Sequence, residues 1–534
     1  MELISQHAKA IMEECKMRAR DNGLVFQDET LEYIVTNRDL INLSPKAMIP
    51  TLYNYWVNDV EVLKGRGKYK LYPSNPYETV INSRPAVSFY NDNNPDWMNI
   101  MIFYHVIAHI DFFQNNHLYS HTWGDDFVGQ ALADKRLIES FRSRHGRWVD
   151  YIIEFSRAID NITGYFSLLS RHSYKGEKDP PERLAYYFDI FLQKDKKVPS
   201  HEIFKESERF NKLLDKNKDT AESAFFAEVK ERYPEFQAKF QKHNENIEPG
   251  FDDIMEFIAR KSPFLAKEEN QWMRSVMNII RNTALYFSPQ IRTKILNEGW
   301  ASYWHDKLFR IDERISGHES AYAKVNAKVT SLSRVGLNPY AIGLRMFHYI
   351  EDLGNKGKMC WDFQKLRDAE LRKKFDNASG KGEEAIFDVR RHFSDFTAAN
   401  TFIDQDFMDR YDLFVAGKHL NKSRGVYQYY IKSRKASDFK KMITDSLYHP
   451  PLITVDMEKT SDDKLSLVHH FEGKPLVKEF IPGTMLGIEY LWGAPVTLET
   501  HELVRKKGSR KIERKKVIYT MKNRKLEKKD LNDE

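Results

Sequence analysis

The apolar residues of this chain change their spacing several times, and each change marks a different kind of element. In residues 1–43 the stretches HAKAIMEECKMRAR and ETLEYIVTNRDLINL repeat apolar side chains every three or four positions, which predicts N-terminal helices. After Pro45 the segment YPSNPYETVINSRPAVSFYNDNNPD is rich in Pro, Asn, Ser and β-branched residues and predicts short strands near 78–82 and 86–90. NPDWMN then starts a helix whose centre, YHVIAHIDFFQNN at 104–116, reads as buried except that it holds two histidines four apart. Residues 125–165 are again helical in pattern. Residues 170–285 are highly charged, with helices solvated on one face, and read as an insertion or peripheral subdomain.

Helical spacing returns with IRTKILNEGWASYWHDKLFRIDERI and continues to about 415. Beyond it, PPLITVDMEKTSDDKLSLVHHFEGKPLVKEF and PVTLETHELVRKKGSRKIERKKVIYTMKNRK alternate apolar and polar residues, as a small antiparallel β-domain does. The expected class is therefore α+β. Its divisions are N-terminal helices at 1–43, a strand region with the two-histidine helix at 44–169, the charged helical insertion at 170–285, a helical core at 286–435 and a C-terminal β-domain at 436–534.

Length supports more than one domain: 534 residues exceed what one ordinary core organises. The two cysteines, Cys15 and Cys360, lie too far apart in sequence for a CxxC pair, which removes a disulfide framework and a thiolate zinc site and favours the reducing cytoplasm. The N-terminus lacks the apolar centre of a signal peptide, and no window is apolar enough for a transmembrane segment. The net charge of +6 resides in the tail, where residues 501–534 carry 13 Lys and Arg against 6 Asp and Glu. The basic stretch 505–529 interleaves Ile512, Val517, Ile518 and Tyr519 as one packed face, so a solvated hairpin is the preferred reading and nucleic acid is not an expected partner.

Residues four apart on a helix lie about 40° from each other around the axis, so the imidazoles of His105 and His109 can face one ion. In an HExxH zinc helix the residue after the first histidine is a glutamate that acts as general base; here it is Val106. An open-coordinate zinc site needs a third protein ligand. NEGWASYWHDKLF, 297–309, offers one, with Glu298 and His305 seven apart on one face. His305 is read either as a fourth ligand or as a support hydrogen-bonded to a ligand, and Asn116 as a further group near the ligand face. Asp111 lies about 200° from His109 around the helix and is read as an anchor. Glu78, in the strand before the helix, is the preferred carboxylate to replace the missing base.

NEGWASY closely resembles the Asn-Glu-Gly-aromatic-Ala-Ser-Tyr segment of gluzincin aminopeptidases, a resemblance that implies Glu298 as the third zinc ligand beside His105 and His109, in a zincin-like core. On a larger scale, YETVINSRPAVSFYNDN, YHVIAHIDFFQNN, NEGWASYWH, NPYAIGLRMFHYIED and FTAANTFIDQDF occur in the order and with the character of the stage V sporulation protein R (SpoVR) family, across about 45–500. Members usually carry Tyr-Gly where this chain has Ile107 and Ala108, and the charged block and basic tail also depart from the pattern, so the chain resembles a divergent member. The resemblance implies a cytoplasmic bacterial protein linked to spore cortex or cell-envelope physiology.

Two functions follow as expectations. One is a metal-dependent hydrolase of peptide or amide bonds, with a divalent cofactor expected to be zinc and a peptide-like substrate. The other is a non-catalytic scaffold, stabilised by the same metal, that binds a regulatory protein partner. Val106 favours the second and NEGWASY the first. A His/His/Glu set also suits iron, manganese or cobalt.

Overall fold

The computed structural model describes residues 2–35 except 28, 78–122 except 93, 127–159, 182–244 except 197, 199 and 218–219, and 253–531 except 333–334, 361–362, 364–365, 367, 422–424, 448–450, 472–474 and 506–511. All of residues 44–77, and parts of the charged block, lie outside the described residues. The fold is α+β, and its contacts divide the chain into two units, one of residues 1–128, 198–206 and 289–448, the other of 129–197, 207–288 and 449–534.

The first unit opens with strand β1 (Glu2–Leu3), helix α1 (Gln6–Asp21) and strand β2 (Thr30–Val35). Ser5 caps α1 by accepting from Ala8 N. Residues 30–35 correct the helical expectation for the whole of 1–43. TLEYIV fits either period, and its pairing with a distant strand makes it extended. The strands expected near 78–82 and 86–90 are β3 (Glu78–Ile81) and β4 (Ala86–Asn91). Together they form a four-stranded sheet of order β1-β2-β4-β3, in which β2 and β4 are parallel and the other neighbours antiparallel.

Helix α2 (Asp96–Asn115) follows β4, and every residue from Ile100 to Phe113 is buried. A helix apolar on all sides belongs in the middle of a core. Its neighbours are α1 and α3 (Lys294–Arg310). Around these stand α4 (Glu319–Thr330), α5 (Pro339–Asn355), α6 (Gly382–His392) and α7 (Asp395–Phe402).

Sequence-local caps set several of these starts. Asn338 accepts from Tyr340 N with Pro339 in the first turn of α5, and Ser394 and Thr397 form a reciprocal capping box at α7. The first turn of α3 is capped from another helix: Ile295 N and Leu296 N donate to the two carboxylate oxygens of Asp395 at 2.8 and 2.9 Å. Where α3 crosses α5, Gly299 faces Gly343 at backbone contact. A β-carbon on Gly299 would stand 2.4 Å from the Gly343 backbone.

After α7 the expected continuous helical core gives way to a two-stranded ribbon, β5 (Val415–Asn421) and β6 (Val426–Ser433), followed by α8 (Ala436–Ser446). The aromatic and β-branched run VYQYYI after the turn-forming NKSRG explains why this part is extended.

The second unit holds helices Trp148–Arg157, Ala221–Arg232, Phe236–Asn244 and Ile254–Lys261, with an aromatic cluster of Tyr187, Phe191, Phe225, Phe226 and Phe236. Its sheet has the order β11-β10-β9-β8-β7, from β7 (Leu452–Val455), β8 (Leu465–His470), β9 (Val496–Arg505), β10 (Ile512–Lys522) and β11 (Lys525–Asp530). Three neighbouring pairs are antiparallel, as expected; β8 and β9 are parallel. Helix Ile481–Trp492 lies between β8 and β9 in sequence and supplies the crossover that parallel neighbours require. Val517, Tyr519 and Met521 of the basic stretch are buried on one face of β10, and Asn523 and Arg524, both at positive φ, turn the chain into β11. No helix among the described residues is long and apolar enough to cross a membrane.

Candidate metal centre

His105 and His109 stand one turn apart on α2 with ring centroids 4.6 Å apart. Glu298 of α3 faces both: its Oε2 lies 3.7 Å from His105 Nε2 and 3.5 Å from His109 Nε2. These gaps are too long for good hydrogen bonds. They are close to the roughly 3.3–3.6 Å edge of a tetrahedron whose centre is about 2.0–2.2 Å from nitrogen and oxygen ligands. All three residues are buried, and the three ligand atoms lie within 4.8 Å of one another. Glu298 Oε2 makes no hydrogen bond among the described residues although it is shielded from solvent. A buried carboxylate oxygen in that state normally costs stability unless a cation meets it.

The other face of each ligand is held. Glu298 Oε1 accepts from the Lys294 ammonium one turn earlier on α3. His109 Nδ1 meets Asn297 Oδ1 at 2.9 Å. An amide oxygen only accepts, so Nδ1 of His109 carries the proton and Nε2 presents its lone pair to the centre. The same logic runs through a longer chain at His105, whose Nδ1 lies 2.8 Å from His305 Nδ1, while His305 Nε2 lies 3.1 Å from Asn326 Oδ1. Asn326 Nδ2 donates to Asp306, which fixes the amide orientation and leaves its oxygen toward His305. His305 therefore protonates at Nε2, its Nδ1 accepts from His105 Nδ1–H, and His105 Nε2 is left with a lone pair facing Glu298.

The titration states agree with this assignment. Burial lowers His105 to about 3, with the neighbouring histidines acting in the same direction, and burial lowers His305 to about 4. Both rings are neutral at pH 7. Burial alone would raise Glu298, but opposing interactions, that of the Lys294 ammonium among them, hold its carboxyl well below the usual range, so it is ionised. Neutral imidazoles and a carboxylate are the forms that bind metal.

The remaining expected residues fall as follows. Both ring nitrogens of His305 are engaged, Nδ1 with His105 and Nε2 with Asn326, so it stands behind a ligand. Asn116, at the end of α2, donates to the carbonyls of Arg390 and Phe393 and accepts from Leu118 N, which joins α2 to the end of α6 and places its amide away from the centre. Asp111 faces the opposite way and accepts from Val25 N and from Trp300 Nε1, both at 2.8 Å, with Arg390 Nε at 3.5 Å. Glu78 begins β3 opposite Tyr90; its side chain lies outside the described residues. Val106 is fully buried in α2.

Asn297 was not among the residues the spacing singled out, although it belongs to the same short motif. The motif now reads residue by residue: Asn297 orients His109, Glu298 faces both histidines, Gly299 admits α5, Trp300 holds Asp111 and His305 orients His105. Tyr340 adds a wall, its ring stacked near His105 with centroids 6.0 Å apart. An ion held by these three side chains alone would keep room for a further ligand. Lys294, 58% exposed, leads from Glu298 to the surface.

A curated relative, the uncharacterised protein YcgB of Escherichia coli (strain K12), is 25% identical over 333 residues, covering 60% of this chain and 58% of that protein. The aligned region thus spans less than two thirds of the relative's length. No solved structure matches the chain. The family model described as SpoVR like protein matches residues 3–449, a span that contains both histidines of α2 and the whole of α3, and the chain belongs to the SpoVR family.

Proposed function

We propose that this protein is a metalloprotein in which His105, His109 and Glu298 hold one divalent ion, with zinc the expected occupant, and that the centre serves hydrolysis of a peptide or amide bond in a cytoplasmic setting. The observation that carries the metal reading is Glu298 Oε2, a buried carboxylate oxygen facing two imidazole Nε2 atoms whose tautomers are preset. The hydrolytic reading rests on the position left open by three protein ligands and on the gluzincin-like NEGWASY segment, which also supports a zincin-like arrangement of α2 and α3. A divalent ion there supplies Lewis acidity and lowers the pKa of a bound water. Lys294 neutralises part of the Glu298 charge, Asn297 and His305 hold the ligand rings, and Glu78 is the carboxylate proposed as base. The family's name suggests a connection with sporulation and, through it, with the cell envelope.

A second reading is favoured by Val106. A fully buried valine occupies the place of the glutamate that activates water in HExxH enzymes. In this reading the ion ties α2 to α3, and the protein is a scaffold for a regulatory partner.

Metal analysis of purified wild type, His109→Ala and Glu298→Ala tests the shared premise. One equivalent of metal in wild type, lost from both variants, is expected. A metal-free wild type of full stability would sink both readings. Incubation of metal-loaded wild type with a peptide library separates them: cleavage that disappears in Glu298→Ala supports the hydrolase, and cleavage unchanged in Glu78→Gln removes Glu78 as base.

A further inference from the structure

The β5–β6 ribbon carries an array of side chains that the metal centre does not use. Between residues 415 and 435 the chain has six Lys and Arg and no Asp or Glu. Within this span Tyr427, Tyr429 and Tyr430 are 58%, 54% and 50% exposed, an unusual amount of open aromatic surface on one strand. Alternation along β6 puts Tyr427 and Tyr429 on the same face, about 6.8 Å apart, opposite Leu420 and Lys418 of β5. The Lys418 ammonium stands 5.3 Å from the Tyr427 ring centroid. Tyr430, on the other face, lies across Gly417, where a β-carbon would stand 2.4 Å from the ring. Among the described residues, Lys418, Lys432 and Lys435 have no carboxylate within ion-pair distance, whereas Arg434 pairs with Asp412.

At its base the Tyr429 face continues into a groove of about 500 Å³ lined by Tyr429 and Lys418 together with Leu337, Tyr411, Phe414 and Met442. A row of open rings, a cation beside it and an aromatic-lined recess make a stacking platform with an electrostatic rim.

We infer that the β5–β6 ribbon binds single-stranded nucleic acid, with bases stacked on Tyr427 and Tyr429, phosphates met by Lys418, Lys432 and Lys435, and one base directed toward the groove. The charge pattern selects a polyanion. The rings select a planar ligand over an acidic protein strand: a strand added at the edge of β6 would bond to the backbone and leave both faces, where the tyrosines stand, in water. A second copy of this chain would bring six like charges against six.

The test is fluorescence anisotropy of the full-length protein with fluorescein-labelled oligo(U) and oligo(dT) 12-mers at several salt concentrations. Both probes are expected to bind, more weakly as salt rises, with little preference for sequence. Tyr427→Ala/Tyr429→Ala is expected to weaken binding by about tenfold or more, and Tyr427→Phe/Tyr429→Phe to retain it, because the ring face survives. Lys418→Gln/Lys432→Gln is expected to reduce the salt slope by about 1.4. Circular dichroism and metal content of each variant report whether the fold is intact.

Absence of binding by wild type overturns the inference. So does binding that Tyr427→Ala/Tyr429→Ala leaves unchanged, which would assign it to the basic segment at 505–529. Equal competition by poly-glutamate with no effect of the tyrosine variants would point to an acidic protein partner, and tighter binding of duplex than of single strands would also exclude a stacking surface.

Discussion

The Nδ1 atoms of His105 and His305 lie 2.8 Å apart, and only one of them can carry the shared proton. Asn326 decides which, because its oxygen accepts a hydrogen bond from His305 Nε2–H and so leaves His305 Nδ1 as the acceptor. His305→Phe keeps a planar ring but removes the acceptor, so His105 loses the partner that holds its lone pair toward Glu298. Metal affinity is expected to fall roughly 10- to 100-fold, as for other groups that orient a ligand. Competition with a chromophoric chelator measures this. An unchanged affinity in a folded variant would show that the His305 contact does not orient His105.

The Gly299 and Gly343 backbones touch where α3 crosses α5, and neither can yield as a flexible side chain would. Gly299→Ala is expected to destabilise the protein by about 1–3 kcal/mol or more through overpacking, and to lower metal occupancy because Glu298 precedes it. Gly483→Ala is the control, since a β-carbon there meets nothing within 4 Å. It should be neutral or slightly stabilising in a helix. Thermal denaturation of the two variants reads the contrast, and equal melting temperatures would refute the close-crossing argument.

His105, His109 and Glu298 could be proposed together before any coordinates because helical spacing puts the two histidines on one face and the resemblance of NEGWASY to the gluzincin segment supplies Glu298, and the structure brings the three side chains together. The 189 residues separating His109 from Glu298 did not matter to that reading, since each half is local. Asn297 escaped it because a neutral amide beside a glutamate carries no signature of its own, and its role exists only once α2 is packed opposite. Residues 30–35 were misread for a related reason: TLEYIV suits both periods, and its partner is 56 positions away, as the Thr30 and Ala86 pairing shows. The β5–β6 ribbon did have a local signal in VYQYYI, which the helical block around it obscured. The parallel pairing of β8 and β9 follows from a crossover helix, which strand alternation alone cannot reveal.

Trp300 donates its indole N–H to Asp111 Oδ2 at 2.8 Å, and Asp111 is fully buried. Burial raises the Asp111 carboxyl despite the opposing Arg390, so each donor it retains counts. Trp300→Phe removes one and leaves a small gap. A loss of about 1–3 kcal/mol is expected in chemical denaturation, with metal content unchanged. This separates an anchoring role for Asp111 from a ligand role, because loss of metal in the folded variant would contradict the first.

Asp312 joins α2 to the segment after α3 by accepting from Tyr104 Oη at 2.6 Å and Arg314 Nε at 2.9 Å. Burial alone would raise its carboxyl, but Arg314 and Tyr104 hold it at about 2, below the ordinary 3.8. A carboxyl depressed by folding stabilises the protein when ionised. Its contribution is complete above about pH 4 and is lost as the pH falls through about 2. After allowance for solvent screening the contribution is on the order of 1 kcal/mol. Asp312→Asn preserves the shape and removes the charge, so wild type should exceed the variant in stability at pH 5 and the difference should shrink between pH 4 and pH 2. Urea denaturation of both proteins across that range measures the difference directly. A gap that stays constant down to pH 2 would mean that the charge of Asp312 is not what holds α2 to this segment, leaving only its shape and neutral hydrogen bonds to do so.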